Sequence, residues 1–290
     1  MKVVFIVVLS ILLATTAIAA AQTAPSDVKV ITSFYPVYIM ALNVTKGVPG
    51  VSVSNLTPPV TGCLHDYALT AGDMKKIASA DIFIANGAGM ESFLDNVIAQ
   101  YPKLDVVELA TGVEFIKDGK EVNPHVWVSI SNAIIEVKNL GMAMEKFDPA
   151  RAEVYRKNTD EYVNKLNVLR LEMLSSLAPY KGRQIITFHE AFPYFAQEIG
   201  LQIAAVIERQ PGSSPDAREL AGTIDLIKRA GIRAIFCEPQ YPSAAAKIIA
   251  GETGAKIYTL DPAVTGPDDP NAYIDIMEKN CRVLKEALGS

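Results

Sequence analysis

Histidine occurs three times in the 290-residue chain, each time inside a short string of other polar or aromatic residues. The strings are Cys63-Leu64-His65-Asp66-Tyr67, Asn123-Pro124-His125-Val126-Trp127 and Phe188-His189-Glu190. A neutral imidazole offers a nitrogen lone pair near pH 7, which suits it to bind a transition metal. The intervals of 60 and 64 residues between them are too long for a zinc-finger knuckle. Convergence on one ion must therefore come from the fold. Asp261 adds a carboxylate further along, and three imidazoles with one carboxylate make a tetrahedral set suited to Zn2+. A harder ion such as Mn2+ favours more oxygen ligands. Plainer readings stand beside this one: a histidine on a loop is commonly a surface residue, Asn-Pro starts turns, and Trp127 reads as core packing.

The elements that would carry these residues alternate in type. Candidate strands are Val28 to Thr32, Val51 to Leu56, Asp81 to Ala85 and Val106 to Leu109. A second set runs Gln184 to Phe188, Gln202 to Val206, Ala234 to Cys237 and Lys256 to Leu260. Helical patterns separate them, which implies parallel sheets with crossover connections. Between the sets, Asp148 reads as an N-cap and Pro149 as the first helical residue, with neither Gly nor Pro from Ala150 to Ala178. Tyr155, Tyr162, Leu166, Leu169, Met173 and Leu177 keep one stripe along this segment, and Pro179 ends it. The predicted fold class is α/β, with two lobes, each a four-stranded parallel sheet flanked by helices. Residues 28–147 form the first lobe, residues 180–290 the second, and one long rigid helix over 148–179 joins them. Ligands of open α/β sheets bind at the carboxyl ends of strands. His189 and Asp261 directly follow strands of the second lobe, while His65 and His125 lie on loops of the first, which places the site in the cleft between lobes.

Residues 1–21 read as a signal peptide: Lys2 is the only charge before Asp27, Val3 to Ala14 is almost wholly apolar, and Ala17-Ile18-Ala19 supplies small residues for cleavage. An uncleaved membrane anchor is the alternative, since no charge interrupts Val3 to Ala21. No cysteine follows the apolar run before Cys63, which argues against a lipid anchor and for a soluble periplasmic protein. The net charge of −5 becomes −6 without Lys2 and argues against nucleic acid as a partner. Three cysteines in an oxidising compartment suggest one disulfide, and Cys237 with Cys281 is the expected pair, tying the terminal helix to the sheet.

Several strings together resemble the metal-binding solute receptors of bacterial ABC importers for zinc and manganese, the ZnuA-like or TroA-like family. Asn123-Pro124-His125-Val126-Trp127 looks like that family's Asp-Pro-His-x-Trp. Phe188 to Phe195 resembles its third ligand motif, Phe236-Cys237-Glu238-Pro239-Gln240 its Glu-Pro-Gln strand end, and Glu252 to Lys256 with Leu260-Asp261-Pro262 its last ligand segment. The resemblance runs from about Val28 to the C-terminus. It implies metal ligands at His65, His125, His189 and Asp261, Zn2+ as bound cargo with Mn2+ as the alternative, an ABC permease in the inner membrane as partner, and a monomer. Histidine at position 189 favours zinc, since manganese-specific members tend to place a glutamate there. His65-Asp66-Tyr67-Ala68-Leu69-Thr70 lacks the family's Glu-Pro pair, and the stretch Phe115 to Val122 has no histidine-rich loop, so an auxiliary zinc site is not expected. Cys63, Glu190 and Glu238 are further donors beside the implied ligands.

Other functional classes compete less well. A secreted zinc metalloenzyme would use Glu190 or Glu238 as general base, but it needs an open coordination position that Asp261 would close, and no HExxH string is present. An adhesin would call for display at a cell surface. A receptor for iron chelates or corrinoids would want a roomier cleft with aromatic or basic contacts.

Overall fold

Short runs rich in Val, Ile and Phe become the strands of two separate four-stranded sheets. The first contains β1 (Val28–Thr32), β2 (Val51–Asn55), β3 (Ile82–Ala85) and β4 (Asp105–Glu108), in the order β2-β1-β3-β4. A small antiparallel hairpin, β5 (Lys117–Asp118) and β6 (Glu121–Val122), follows within a stretch read from sequence as a loop. The second sheet contains β7 (Gln184–Thr187), β8 (Gln202–Val206), β9 (Ala234–Cys237) and β10 (Lys256–Thr259), in the order β10-β9-β7-β8. Every pairing within the two large sheets is parallel. This computed structural model describes residues 27–289 except 59–63, 65–66, 120, 209–214 and 242–243. The signal peptide expected over residues 1–21 lies outside the described residues. Among the described residues no helix is long and apolar enough to cross a membrane.

The two sheets share one topology. Counted within each lobe, the spatial order is second, first, third, fourth strand. The chain therefore reverses its progression between β1 and β3 in one lobe and between β7 and β9 in the other. At such a switch point the crossovers leave in opposite directions and open a crevice at the carboxyl ends of the strands. The central strands β3 and β9 are buried at all four positions, as strands covered on both faces must be.

The helices are α1 (Tyr35–Val44), α2 (Ala71–Ser79), α3 (Asp95–Ile98), α4 (Ile130–Phe147), α5 (Ala152–Leu177), α6 (Pro193–Ile199), α7 (Ala217–Ala230), α8 (Ala244–Thr253) and α9 (Ala272–Gly289). Capping boxes start two of them, Thr70 with Asp73 before α2 and Asp216 with Glu219 before α7. The long connector α5 has 26 residues, about 39 Å at 1.5 Å per residue. Its first turn, Pro149–Arg151, is 3-10, so the helical segment begins at Pro149 as the sequence suggested. Asp148 stands at the N-cap position, but its side chain makes no capping bond. Its carboxylate instead accepts hydrogen bonds from Arg151 Nε and, at 2.7 Å, Tyr155 Oη, across a 3-10 turn at Pro149–Arg151.

The stripe predicted on α5 is buried as expected, Tyr155 through Leu177. It packs against α1 and α4 of the first lobe and against α6 and α9 of the second. A single apolar cluster consequently contains Val30 and Ile84 from one sheet together with Ile185 and Phe236 from the other. The connector is part of the core of both lobes rather than a rod beside them. The α4–α5 approach is close enough that a Cβ at Gly141 would overlap the Thr159 side chain.

The expected disulfide does not form: Cys237 and Cys281 are both free thiols. Side chains alternate across β9. Phe236 faces the core shared by the lobes, where Cys281 also packs, whereas Ile235 and Cys237 face a separate cluster on the opposite side of the sheet. Burial pushes the Cys237 thiol up to about 12, so it is a packing group rather than a nucleophile.

Candidate metal centre

Three donors of the second lobe emerge from adjacent strands. The ladder continues one step past β7 and β10, through Phe188 N to Phe236 O at 2.8 Å and Leu260 N to Cys237 O at 2.9 Å. His189, Glu238 and Asp261 follow directly, at the carboxyl ends of β7, β9 and β10. Asn280 on α9 holds the Asp261 backbone from both sides, accepting from its N–H at 2.9 Å and donating to its carbonyl at 2.7 Å. The carboxylate Oδ1 of Asp261 accepts from Ala263 N at 2.8 Å. One oxygen is thus fixed in place.

His125 arrives from the first lobe on the loop between β6 and α4, and it is 2% exposed. The Asn123 side chain organises it. Asn123 Nδ2 donates to the Glu190 carbonyl at 2.9 Å, which leaves Oδ1 as the acceptor for His125 N at 3.0 Å and for the ring Nδ1 at 3.1 Å. An oxygen partner requires the proton on Nδ1, so the lone pair is on Nε2, the tautomer a metal needs. Beneath the loop, Asn86 Nδ2 donates to the Pro124 carbonyl at 3.0 Å. Asn86 itself sits in a turn clamped by Glu91, whose carboxylate accepts from Asn86 N at 2.8 Å and Gly87 N at 3.0 Å. Burial raises the Glu91 pKa to about 7, with hydrogen bonds from these amides acting the other way.

The two lobes meet at the imidazoles. The rings of His125 and His189 lie 5.1 Å apart, centroid to centroid, at 81° to each other. His189 is 3% exposed, and its ring lies 5.5 Å from that of Tyr241. Burial raises the pKa of Asp261, against the Ala263 amide and the charge of Lys279. Burial, then the charge of Asp261, raises that of Glu238 further, and only the His189 amide opposes it. Two imidazoles beside one buried and one half-buried carboxyl, neither in a salt bridge among the described residues, make an environment that favours a cation.

His65 and Cys63 lie outside the described residues, so the four-donor set expected from the sequence is not tested as a whole. Their neighbour Leu64 is buried in the shared core, and Tyr67 Oη donates to Asp73 Oδ2 at 2.7 Å. Among the described residues no three His, Cys, Asp or Glu side chains already meet at one point.

A family model described as "ZnuA: Zinc-uptake complex component A periplasmic" matches residues 30–287. The chain belongs to the ZnuA family. It is 29% identical to the high-affinity zinc uptake system protein ZnuA of Bacillus subtilis (strain 168), over 93% of this chain and 90% of that protein. It is 30% identical to the zinc-binding protein AdcA of Streptococcus pyogenes, over 90% of this chain but 56% of that protein's length. Among solved structures, FpvC of Pseudomonas aeruginosa in complex with Mn2+ superposes with a TM-score of 0.83 at 29% identity, covering 91% of this chain and 99% of that one. The same protein has been solved with Ni2+. Zn(II)-bound AdcA of Streptococcus pneumoniae superposes with a TM-score of 0.79 at 27% identity, over 91% of this chain and 58% of that one. These relatives are metal-binding and uptake proteins, not enzymes.

Sequence reading within this ZnuA-like frame missed the residues that hold the donors in place. Asn86, Glu91, Tyr194 and Asn280 act through backbone atoms of the ligand loops. Tyr194 Oη, for instance, accepts from Ile116 N at 3.0 Å and donates to Asn123 O at 2.8 Å. The Asn86-Gly87 turn after an apolar strand was visible as a signal, but its partner, 38 residues away, was not.

Proposed function

We propose that this protein is the extracytoplasmic solute-binding protein of an ABC transporter. It captures a divalent metal, Zn2+ before others, and delivers it to a permease in the inner membrane. The ligands in this reading are His65, His125, His189 and Asp261. Residues 28–147 and 180–290 are the lobes, 148–179 the connector, and residues 1–21 a leader removed on export. The receptor acts as a monomer in the periplasm.

The observation that carries the reading is the contact between His125 and His189, two buried imidazoles from different lobes with ring centroids 5.1 Å apart. Bringing them together beside Asp261 serves an ion that bridges the lobes. Imidazole nitrogens outnumber carboxylates in the set, which favours zinc over manganese. The second reading, a manganese receptor of the same family, is supported by the two carboxyls at the strand ends, Glu238 buried and Asp261 half-buried, and by the Mn2+-bound FpvC neighbour. Elemental analysis of protein purified without added metal, with direct competition between Zn2+ and Mn2+, separates the two. Calorimetry on His125→Ala tests the site itself: zinc affinity falls strongly while the fold persists, and unchanged affinity sinks the assignment.

A further inference from the structure

The amino end of the second sheet, opposite the strand ends that carry His189 and Asp261, holds a cavity of about 580 Å3. It is lined by the starts of β7 and β8, by the turn from α7 into β9 and by the last turn of α9. Its polar side chains are Arg183, Gln184, Gln202 and Arg233, all four exposed to solvent. Gln184 pairs in register with Gln202, and Ile186 with Ile235. Two steps back from that second pair, Gln184 stands beside Arg233. Side chains alternate along a strand, and Ile186 and Ile235 lie in one cluster. Gln202, Gln184 and Arg233 therefore form a row on that face, with neighbouring strands about 4.8 Å apart. Arg183 flanks the row from the residue before β7, its carbonyl accepting from Gln202 N at 2.9 Å.

Two guanidinium groups share this cavity, and neither is in an ion pair or a side-chain hydrogen bond among the described residues. The charge around them is of one sign. Segments 181–184 and 228–233 carry five basic residues and no acidic one, in a chain of 27 basic and 32 acidic residues. Lys228 and Arg229 have an ordinary explanation, since they sit in the last turn of α7 and complement its dipole. Arg183 and Arg233 directly precede β7 and β9, beyond the last turn of any α-helix. A guanidinium is a planar fork of donors that matches the oxygens of phosphate two at a time. We propose that the cavity binds a small phosphate-class oxyanion, held by Arg183 and Arg233 with the carboxamides of Gln184 and Gln202 donating beside them. Buried Ile232 and Leu288 in its walls suit a discrete ligand rather than a flat lipid surface. Six residues of extended chain, roughly 20 Å, separate Arg183 from His189, so the site does not depend on the metal cleft or on the receptor reading.

Calorimetric titration of inorganic pyrophosphate into the full chain tests this, with the protein stripped of metal so that the probe has no ion to chelate. Saturable one-to-one binding that weakens as salt rises is expected. Arg183→Gln and Arg233→Gln each weaken it at least about tenfold, the loss expected for one charge-assisted bond, and the double variant abolishes it. Arg233→Lys, which keeps the charge without the fork, retains part of the affinity. Lys228→Gln combined with Arg229→Gln removes two cations that do not line the cavity and changes the affinity less than about twofold. All these variants keep the zinc affinity and melting temperature of the natural chain, because the altered side chains are exposed and far from the metal cleft. Equal losses from the two pairs overturn the proposal, since they would report a diffuse positive field rather than a site. So does a natural chain that binds no pyrophosphate, including one that adsorbs to phosphatidylglycerol vesicles instead.

Discussion

Trp127 Nε1 donates to the Pro262 carbonyl at 2.7 Å, joining a residue two places after His125 to the residue immediately after Asp261. The indole is fully buried, with Phe34 packed edge-on at 4.8 Å. Tyr273 Oη returns a bond to the Trp127 carbonyl at 2.7 Å. The loops that carry the candidate donors His125 and Asp261, one from each lobe, are thereby bonded to each other directly.

Trp127→Phe keeps an aromatic ring but strips the Pro262 carbonyl of its donor. Leaving that buried acceptor unpaired costs about 1–3 kcal/mol, before any loss from the smaller ring. Urea unfolding of metal-free protein measures this, and zinc calorimetry on the same variant shows weaker binding because the two loops are no longer locked in register.

Metal removal lowers stability by mass action. At a free zinc concentration one hundred times the dissociation constant, the loaded protein is about 2.7 kcal/mol more stable than the stripped one. Thermal melts with and without chelator show the difference. His125→Ala and His189→Ala abolish the zinc-dependent increment, and their stripped forms still melt cooperatively.

Much of this was legible in sequence because it depends on local pattern. All eight main strands and the stripe on α5 follow from the spacing of apolar residues, and the positions of His189 and Asp261 follow from where two strands stop. What stayed hidden depends on pairs distant in sequence. The Cys237–Cys281 pairing failed because composition does not tell which face of β9 each thiol meets. The Asp148 cap failed because its carboxylate had two side-chain donors, Arg151 and Tyr155, in tertiary reach. The braces on the ligand loops were invisible for the same reason.

Glu136 on α4 is fully buried, and neither carboxyl oxygen has a partner. Burial, then the nearby Glu91, holds its pKa well above the usual glutamate range. The native state therefore binds a proton that the unfolded chain releases. This stability contribution is fully present below the unfolded pKa, about 4.3, and is lost as pH rises through the folded value. Glu136→Gln is expected to stabilise the protein at pH 7.5 and to change little near pH 4, read by urea titrations at both. Metal affinity runs the other way and weakens in acid, because protonated imidazole cannot ligate.

Glu198 on α6 reaches across to the start of α4. Its carboxylate accepts from Ser129 Oγ at 2.8 Å, Ser131 Oγ at 2.6 Å and Ser131 N at 3.1 Å, and pairs with Arg170 at 3.1 Å. An acid at a helix N-terminus is also favoured by the helix dipole. Glu198→Ala costs about 1–3 kcal/mol, and amide exchange speeds up at residues 129–133 while the β9 amides stay protected.

Because Cys237 and Cys281 are separate thiols, reductant leaves the melting temperature unchanged. Peptide mapping without reduction finds no fragment linking them. A recovered 237–281 crosslink would contradict the structure.

The segment from Pro262 to Tyr273 is tied to the first lobe at five points. Besides the two bonds to Trp127, Tyr35 Oη donates to Pro267 O at 2.7 Å, Tyr38 Oη to Asp268 Oδ1 at 2.9 Å and Asn43 Nδ2 to Pro270 O at 2.8 Å. A Cβ at Gly266 would strike the Tyr35 hydroxyl, so the tether lies flush against α1. Emptying the site by prying the lobes apart means breaking all five tie points at once. Turning Asp261 or an imidazole out of line breaks none of them. On the receptor reading proposed above, the path of least mechanical work for extracting an ion is a twist at the donors, with the frame left shut.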